Sequence, residues 1–589
     1  MQNPTEFYST QIDFYTGEVS RLKRELSNSA TLRFLVFIIA VAGVYFFHST
    51  VLEVAIILIL WISVFTVLVL RHTKLNYEKE KNEHLLHINQ TELAVLNGNY
   101  HHLDGGKEFT DASHGYSYDI DLFGNGSFFQ YLNRTGITEG KKALVGFLTE
   151  NNTDAVELKQ EAVKELSKVP QWRQLYTAMA RMVKVEHSAG ETAAWIGNYL
   201  PSFNSNRRWL PILFSLVSLG IFILAVFEVI SFKILVTWFF TGLGISGIFL
   251  KKINELYKNA GKAKDTFRQY HLLLDMIETA GFKSVLLREK QEAIKTESVK
   301  ASVIFAKFSK LLDALDQRNN LMIGVVTNAF FLRDVYLSHQ IEKWISGYGH
   351  TVEKWLDVAS FFDAWNTLGN FAFNHPAYVY PSISESDVML DSKSLGHPLI
   401  SEKSRITNDF SIAQHQFYII TGANMAGKST FLRTVSLALV MANMGLPVCA
   451  SAFKYKPIQL ITSMRTSDSL ADDESYFFSE LKRLKFIVDR IKTDDYFIVL
   501  DEILKGTNST DKAIGSKKFV QKLVASNSTG IIATHDLSLC EIEKELQQIK
   551  NYYFDAEIKN DELYFDYKLK NGICKNMNAS FLLKKMDIV

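Results

Sequence analysis

The chain has 589 residues, with 64 Lys plus Arg against 63 Asp plus Glu and a net charge of +1, which excludes a histone-like polycationic binder. A hydrophobic content of 47% with only 9 prolines excludes a disordered or collagen-like chain. The three cysteines, Cys449, Cys540 and Cys574, form no CxxC pair, so neither a disulfide framework nor a zinc cluster is expected.

Four apolar runs dominate the first half, at 32–47, 51–70, 210–230 and 232–250. A helix that crosses a bilayer needs about 17 to 25 such residues. The joins at 47–51 and 230–232 are too short for anything but helical hairpins. Charged residues sit at the run ends, where they reach headgroups. Lys23, Arg24 and Arg33 precede the first pair, and Arg71 and Lys74 follow it. Arg207 and Arg208 precede the second pair, and Lys251 and Lys252 follow it. That bias places the N-terminus, 71–208 and 251–589 in the cytoplasm of a four-span, multi-pass membrane protein with the lipid bilayer as a partner. The competing reading makes these runs buried helices of a large soluble core.

The divisions expected are a cytoplasmic segment 1–30, a hairpin 31–70, a mixed, mostly helical region 71–208, a second hairpin 209–250, long helices over 251–390 that read as amphipathic over 253–345, and an α/β domain over 391–589. In the last part, β-rich runs at 417–421, 497–500 and 530–534 alternate with helical patterns, which reads as a mostly parallel sheet.

The strongest chemical signal is Gly422-Ala423-Asn424-Met425-Ala426-Gly427-Lys428-Ser429, between an apolar strand and a helical run starting at Thr430. Strand, glycine-bearing loop and helix are the context of a phosphate loop, whose N–H groups converge on an anion at a helix N-terminus. Lys428 is expected to reach the β- and γ-phosphates of ATP and Ser429 to bind Mg²⁺. A second apolar strand, 496–500, ends in Asp501-Glu502, which suits a metal-holding Asp501 and a Glu502 that orients or deprotonates the attacking water. A third, 530–534, ends at His535, placed to touch the γ-phosphate or that water.

These residues carry a resemblance. Residues 421–433 (TGANMAGKSTFLR) resemble the ATPase loop of the MutS family, TGPNMGGKST. Residues 500–507 (LDEILKGT) with Asp511 are similar to its DELGRGT segment, and Ser467-Asp468 with 474–480 (ESYFFSE) to its SD…STFMxE region. Gly396-His397-Pro398 and Asn408-Asp409 also match. So do 121–135, 160–163 and 356–381, against the family's core and lever helices. The resemblance implies a MutS/ABC-like P-loop ATPase domain behind a helical core and lever region. It implies Ser475 as a residue that crosses to the nucleotide of the other subunit in a homodimer, and double-stranded DNA as a partner. No Phe-x-Glu mismatch wedge precedes the first apolar run. The function this resemblance implies is a membrane-anchored ATPase that binds and hydrolyses ATP at a dimeric composite site, coupled to DNA binding as in mismatch-repair proteins; the alternative is a membrane-tethered switch acting on a protein or lipid partner without mismatch recognition. A transporter of the ABC type lacks its LSGGQ signature here.

Overall fold

The structure is a computed structural model that describes residues 3–48, 50–183, 185, 188–203, 208–295, 299–423, 425–465, 476–504, 509–526, 528–559 and 562–574. It opens with two long antiparallel helices, α1 (Pro4–Phe46) and α2 (Val51–Leu96). Asn3 caps the first by accepting the Thr5 N–H, with Pro4 in the first turn; Thr50 caps the second through the Glu53 N–H. No stop signal separates their apolar halves from their polar halves, so both continue well past the apolar runs. Their polar ends seat on the body. The Tyr8 hydroxyl donates to Asn374 Oδ1 at 2.6 Å, Phe7 packs edge-on against Phe373, and buried Glu92 takes Arg134 and the Asn374 amide.

Short helices α3 (Phe128–Leu132), α4 (Thr138–Thr149), α5 (Val156–Ser167), α6 (Pro170–Met182) and α7 (Ala189–Gly197) follow. The second apolar pair is α8 (Leu210–Val226) and α9 (Phe232–Thr279). The expected third span is corrected here. Its helix ends at Val226 after 17 residues, because the chain leaves the α region at Phe227 and turns through Glu228 at a left-handed φ of 57°. At 1.5 Å per residue that is about 25 Å, at the lower edge of the range of about 17 to 25 residues and less than the roughly 30 Å hydrocarbon layer. Among the described residues, three helices rather than four are long and apolar enough to cross a membrane: α1, α2 and α9. Almost none of their apolar stretches is buried in the protein.

Next come α10 (Val285–Glu292), α11 (Ala301–Asp316), α12 (Leu321–Phe331) and α13 (Arg333–Asn374). The amphipathic reading of this region holds for α11, which packs on the polar half of α9 through Phe267, Phe305 and Phe308. It does not hold for α12, an apolar helix of 11 residues. The 42 residues of α13 span about 63 Å at 1.5 Å per residue. Its start touches α11 and α12, and its end holds the base of α1.

The C-terminal part contains β1 (Ser382–Ile383), β2 (Val388–Leu395), β3 (Asn408–Ala413), β4 (Phe417–Gly422), α14 (Lys428–Asn443), β5 (Ala452–Tyr455), β6 (Gln459–Ser463), α15 (Tyr476–Arg490), β7 (Tyr496–Asp501), α16 (Ser509–Val524), β8 (Thr529–Ala533), β9 (Ile549–Phe554), β10 (Glu557–Lys559), β11 (Glu562–Tyr564) and β12 (Leu569–Asn571). The larger sheet runs β12-β9-β4-β8-β7-β6; all its pairings are parallel except β12 with β9. Every residue of β4 is buried, as expected for a strand covered on both faces. Tyr418 and Ile420 face the core shared with the helical body, while Phe417 and Ile419 face a second cluster under α15 and α16, so the period of two splits the strand between two cores. A smaller sheet, β1-β5-β2-β3, flanks it.

Candidate functional site

The parallel order brings the C-terminal tips of β4, β7 and β8 side by side, where ligands gather in open α/β sheets. Gly422 ends β4 at a φ of 147°, and a Cβ there would lie 2.6 Å from the Phe554 carbonyl oxygen, so β9 can pair this closely only with glycine. Ala423, Met425, Ala426 and Gly427 form the turn, and Lys428, Ser429 and Thr430 the first turn of α14. Asn424 and Ser475 lie outside the described residues, as do Ser467 and Asp468.

The chemistry-bearing side chains converge. Lys428 is buried; its Nζ donates to the Gly422 and Ala423 carbonyls at 2.8 and 3.0 Å and lies 3.3 Å from His535 Nε2. Ser429 Oγ donates to Asp501 Oδ2 at 2.6 Å. His535 Nε2 stands 3.5 Å from Glu502 Oε1. Glu502 directly follows the tip of β7 in the left-handed region, with φ 57°, and its N–H is held by the Ala533 carbonyl. A non-glycine residue kept there is the kind of strain found at functional sites. Burial holds the Lys428 ammonium below the ordinary lysine range, against the pull of Asp501 and Glu502. Burial and the nearby Lys428 charge hold His535 below the usual histidine range, against the pull of Glu502 and Asp501.

These groups line a cavity of about 650 Å³. Its far wall comes from segments that the motif reading left without a role. Ile406, His397 and Tyr567 line it. Asn408 pins the Tyr567 segment by donating to the Tyr567 carbonyl at 3.1 Å and accepting the Leu569 N–H at 2.8 Å. The Tyr567 ring lies against Gly427, where a Cβ would come within 3.0 Å of its Cδ1. Burial, reinforced by Arg433 and Arg405, pushes His397 down to about 4. The only hint in the sequence was the pair of short matches at 396–398 and 408–409; Tyr567 had no signal, since only β12 folding back on β9 brings it here.

The donor set fits a hydrated hard cation beside a polyphosphate. A serine hydroxyl and an aspartate carboxylate meet at hydrogen-bond distance, with a lysine ammonium and the N-terminus of a 16-residue helix at the same spot.

The helical body grips this site. Buried Asp119 accepts the Thr462 hydroxyl at 2.6 Å and the Met464 and Arg465 N–H groups at 3.1 and 2.8 Å. Two residues on, Asp121 pairs with Arg433 of α14 and with Arg465 after β6. Arg483 donates to the Gly115 and Thr462 carbonyls and closes the joint.

Comparison with known proteins agrees with this geometry. Residues 418–584 match the family model MutS domain V. The DNA mismatch repair protein MutS of Staphylococcus carnosus is 28% identical over 285 residues, 47% of this chain and 32% of that protein. MutS protein homolog 4 of Homo sapiens is 30% identical over 242 residues, 39% and 25% of the two chains. The DNA mismatch repair protein MutS of Acetivibrio thermocellus is 31% identical over 210 residues, 34% and 24%. In each case the matched region spans about a third or less of the relative. The likeness is to the MutS family and is carried by residues 418–584, which match MutS domain V and follow a helical body.

Proposed function

We propose that this chain is a membrane-tethered MutS-type ATPase that works as a conformational switch in a homodimer. The observation that carries the reading is the convergence of Lys428, Ser429, Asp501, Glu502 and His535 in one cavity at the tips of β4, β7 and β8. ATP would lie with its phosphates on the N–H groups of 422–430. Lys428 would exchange its two carbonyl partners for phosphate oxygens. Ser429 and Asp501 would hold Mg²⁺, whose chemistry there is the neutralisation of phosphate charge. Glu502 would take the proton of the attacking water at its carboxylate, and His535 would hold that water or the γ-phosphate by a hydrogen bond. Ser475 of a second copy would complete the site across the dimer.

The path of the output follows the contacts. Asp121 joins α14 to the helical body. Within that body α13 ties together both apolar parts, the base of α1 and α2 at its C-terminal end and the bundle of α8, α9 and α12 at its start. The exposed apolar surfaces of α1, α2 and α9 suit acyl chains and anchor the protein in a bilayer. A second reading, that duplex DNA is what ATP use responds to, is favoured by relatives named as DNA mismatch repair proteins.

The test is ATP turnover by the full chain in lipid nanodiscs, alone and with homoduplex or mismatched DNA. Turnover that duplex leaves unchanged supports the membrane switch, duplex stimulation supports the second reading, and no turnover under any condition rejects the ATPase.

A further inference from the structure

We infer that α12 is a wedge buried to part depth in one leaflet of the membrane, the leaflet that faces the MutS domain V, with lipid acyl chains as its binding partner. The inference rests on the proposed membrane tether and adds to it an element that is neither a span nor part of the soluble body.

The first argument is length. Eleven residues make about 16 Å of helix, roughly half the hydrocarbon layer, and an apolar helix this short is either a core helix or a re-entrant one. Exposure decides between them. Met322, Ile323, Val326 and Phe331 are 79%, 42%, 47% and 46% exposed, while the inward face carries the small or polar Gly324, Asn328 and Ala329. A helix on a soluble body buries its large apolar side chains; one packed in lipid turns them outward and keeps small residues at the helix contact.

The second argument is position. α12 packs against the apolar part of the second pair. A Cβ on Gly242 would lie 1.9 Å from the Ala329 carbonyl oxygen, so the two backbones touch. Phe330 meets Phe239 edge-on, Ser246 donates to the Asn328 carbonyl, and Ser215 of α8 donates to that of Phe331. Gly242 lies eight residues inside the end of the apolar stretch of α9 at Leu250, about 12 Å along the helix. The outward face of α12 is therefore continuous with the exposed apolar surface of α8 and α9.

The third argument is that both ends of α12 return to one polar collar. Arg318 precedes it and pairs with Asp334, which follows it, at 3.2 Å; Arg333 caps α11 by donating to the Ala314 carbonyl and to Gln317. A segment that enters and leaves through the same charged ring dips into a leaflet and does not cross. Only Leu332, in the left-handed region, separates α12 from α13, so the wedge moves with the helix that reaches the C-terminal domain.

The test places a thiol-linked fluorophore at Met322→Cys or Val326→Cys in the full chain in liposomes. Ile323→Cys on the same face substitutes if either variant misfolds. The native cysteines are buried and stay unlabelled. Ile59→Cys in α2 is the reference for lipid and Lys485→Cys in α15 the reference for water. Lipids carry a nitroxide either near the headgroup or near the acyl end. Quenching at Met322 and Val326 by the shallow label, of the size seen at Ile59 with the deep label, is the expected result. Positions on α12 that stay as bright as Lys485 while Ile59 is quenched would overturn the wedge and leave the tether standing. Deep quenching on α12 equal to that at Ile59 would overturn the part-depth placement. An unquenched Ile59 would remove the tether and the wedge with it.

Discussion

Arg433 Nη1, one turn past the phosphate loop on α14, lies 2.9 Å from Asp121 Oδ2 in a loop of the helical body. Arg465 donates to both Asp121 oxygens, at 2.5 Å to Oδ1 and 2.9 Å to Oδ2, so one carboxylate bridges the helix that starts at the strand-tip cavity and the end of β6. Asp121 is held for this task at a left-handed φ of 52°. The pairs are partly exposed, so their worth to stability is at most about 1 kcal/mol. Their role is connection. Asp121→Ala is expected to leave the melting temperature nearly unchanged and to abolish the ATP-dependent change in hydrogen exchange of residues 114–123. A nucleotide response in that segment equal to the wild type's would show that the signal takes another route.

Asp119 does the structural part of the same joint. It is buried and accepts three donors. Asp119→Ala would strand two backbone N–H groups and a hydroxyl, and is expected to cost about 2 kcal/mol or more. Asp119→Asn, which keeps one acceptor, should lose less. Denaturant titration of both variants checks the order, and equal losses would contradict it.

The clustering of Lys428, Ser429, Asp501, Glu502 and His535 was legible because its parts are local. A phosphate loop is contiguous in sequence, and Asp501, Glu502 and His535 each close an apolar run that parallel pairing aligns. The joint was not legible, since Asp121 and Arg465 are 344 positions apart and nothing local marks them as partners. The third apolar run failed for the opposite reason. The apolar run extends to residue 230 with Glu228 as its one charge, yet the backbone turns at Phe227 and Glu228, and a window on hydropathy does not register a left-handed residue. The sequence of α12 is too short for a span, and its meaning rests on which face touches α9.

Asp363 on α13 gives a pH dependence. It accepts the Gly136 and Ile137 N–H groups ahead of α4, and burial raises its carboxyl to about 7 despite those bonds and Arg181. A carboxyl raised in the folded state binds its proton more tightly there than in the unfolded chain. Its contribution to stability is therefore complete below pH 4 and lost as pH rises through about 7. Asp363→Asn is expected to flatten the fall in stability between about pH 4 and 7 by a few kcal/mol. Chemical denaturation across that range checks it, and an unchanged slope would place Asp363 as already ionised.

Glu502→Gln removes the proposed proton acceptor and keeps the size of the side chain. ATP binding should persist while turnover falls by about 10²- to 10⁴-fold. Single-turnover hydrolysis separates the two steps, and wild-type turnover in this variant would move the base elsewhere.

The central claim is a triphosphate seated between Lys428 and the tips of β4, β7 and β8. Isothermal titration of the purified full chain in detergent, with Mg²⁺ present, tests it directly. One ATP bound per chain, with binding abolished in Lys428→Ala, is the predicted result. A well-folded wild-type chain that takes up no adenine nucleotide would contradict it.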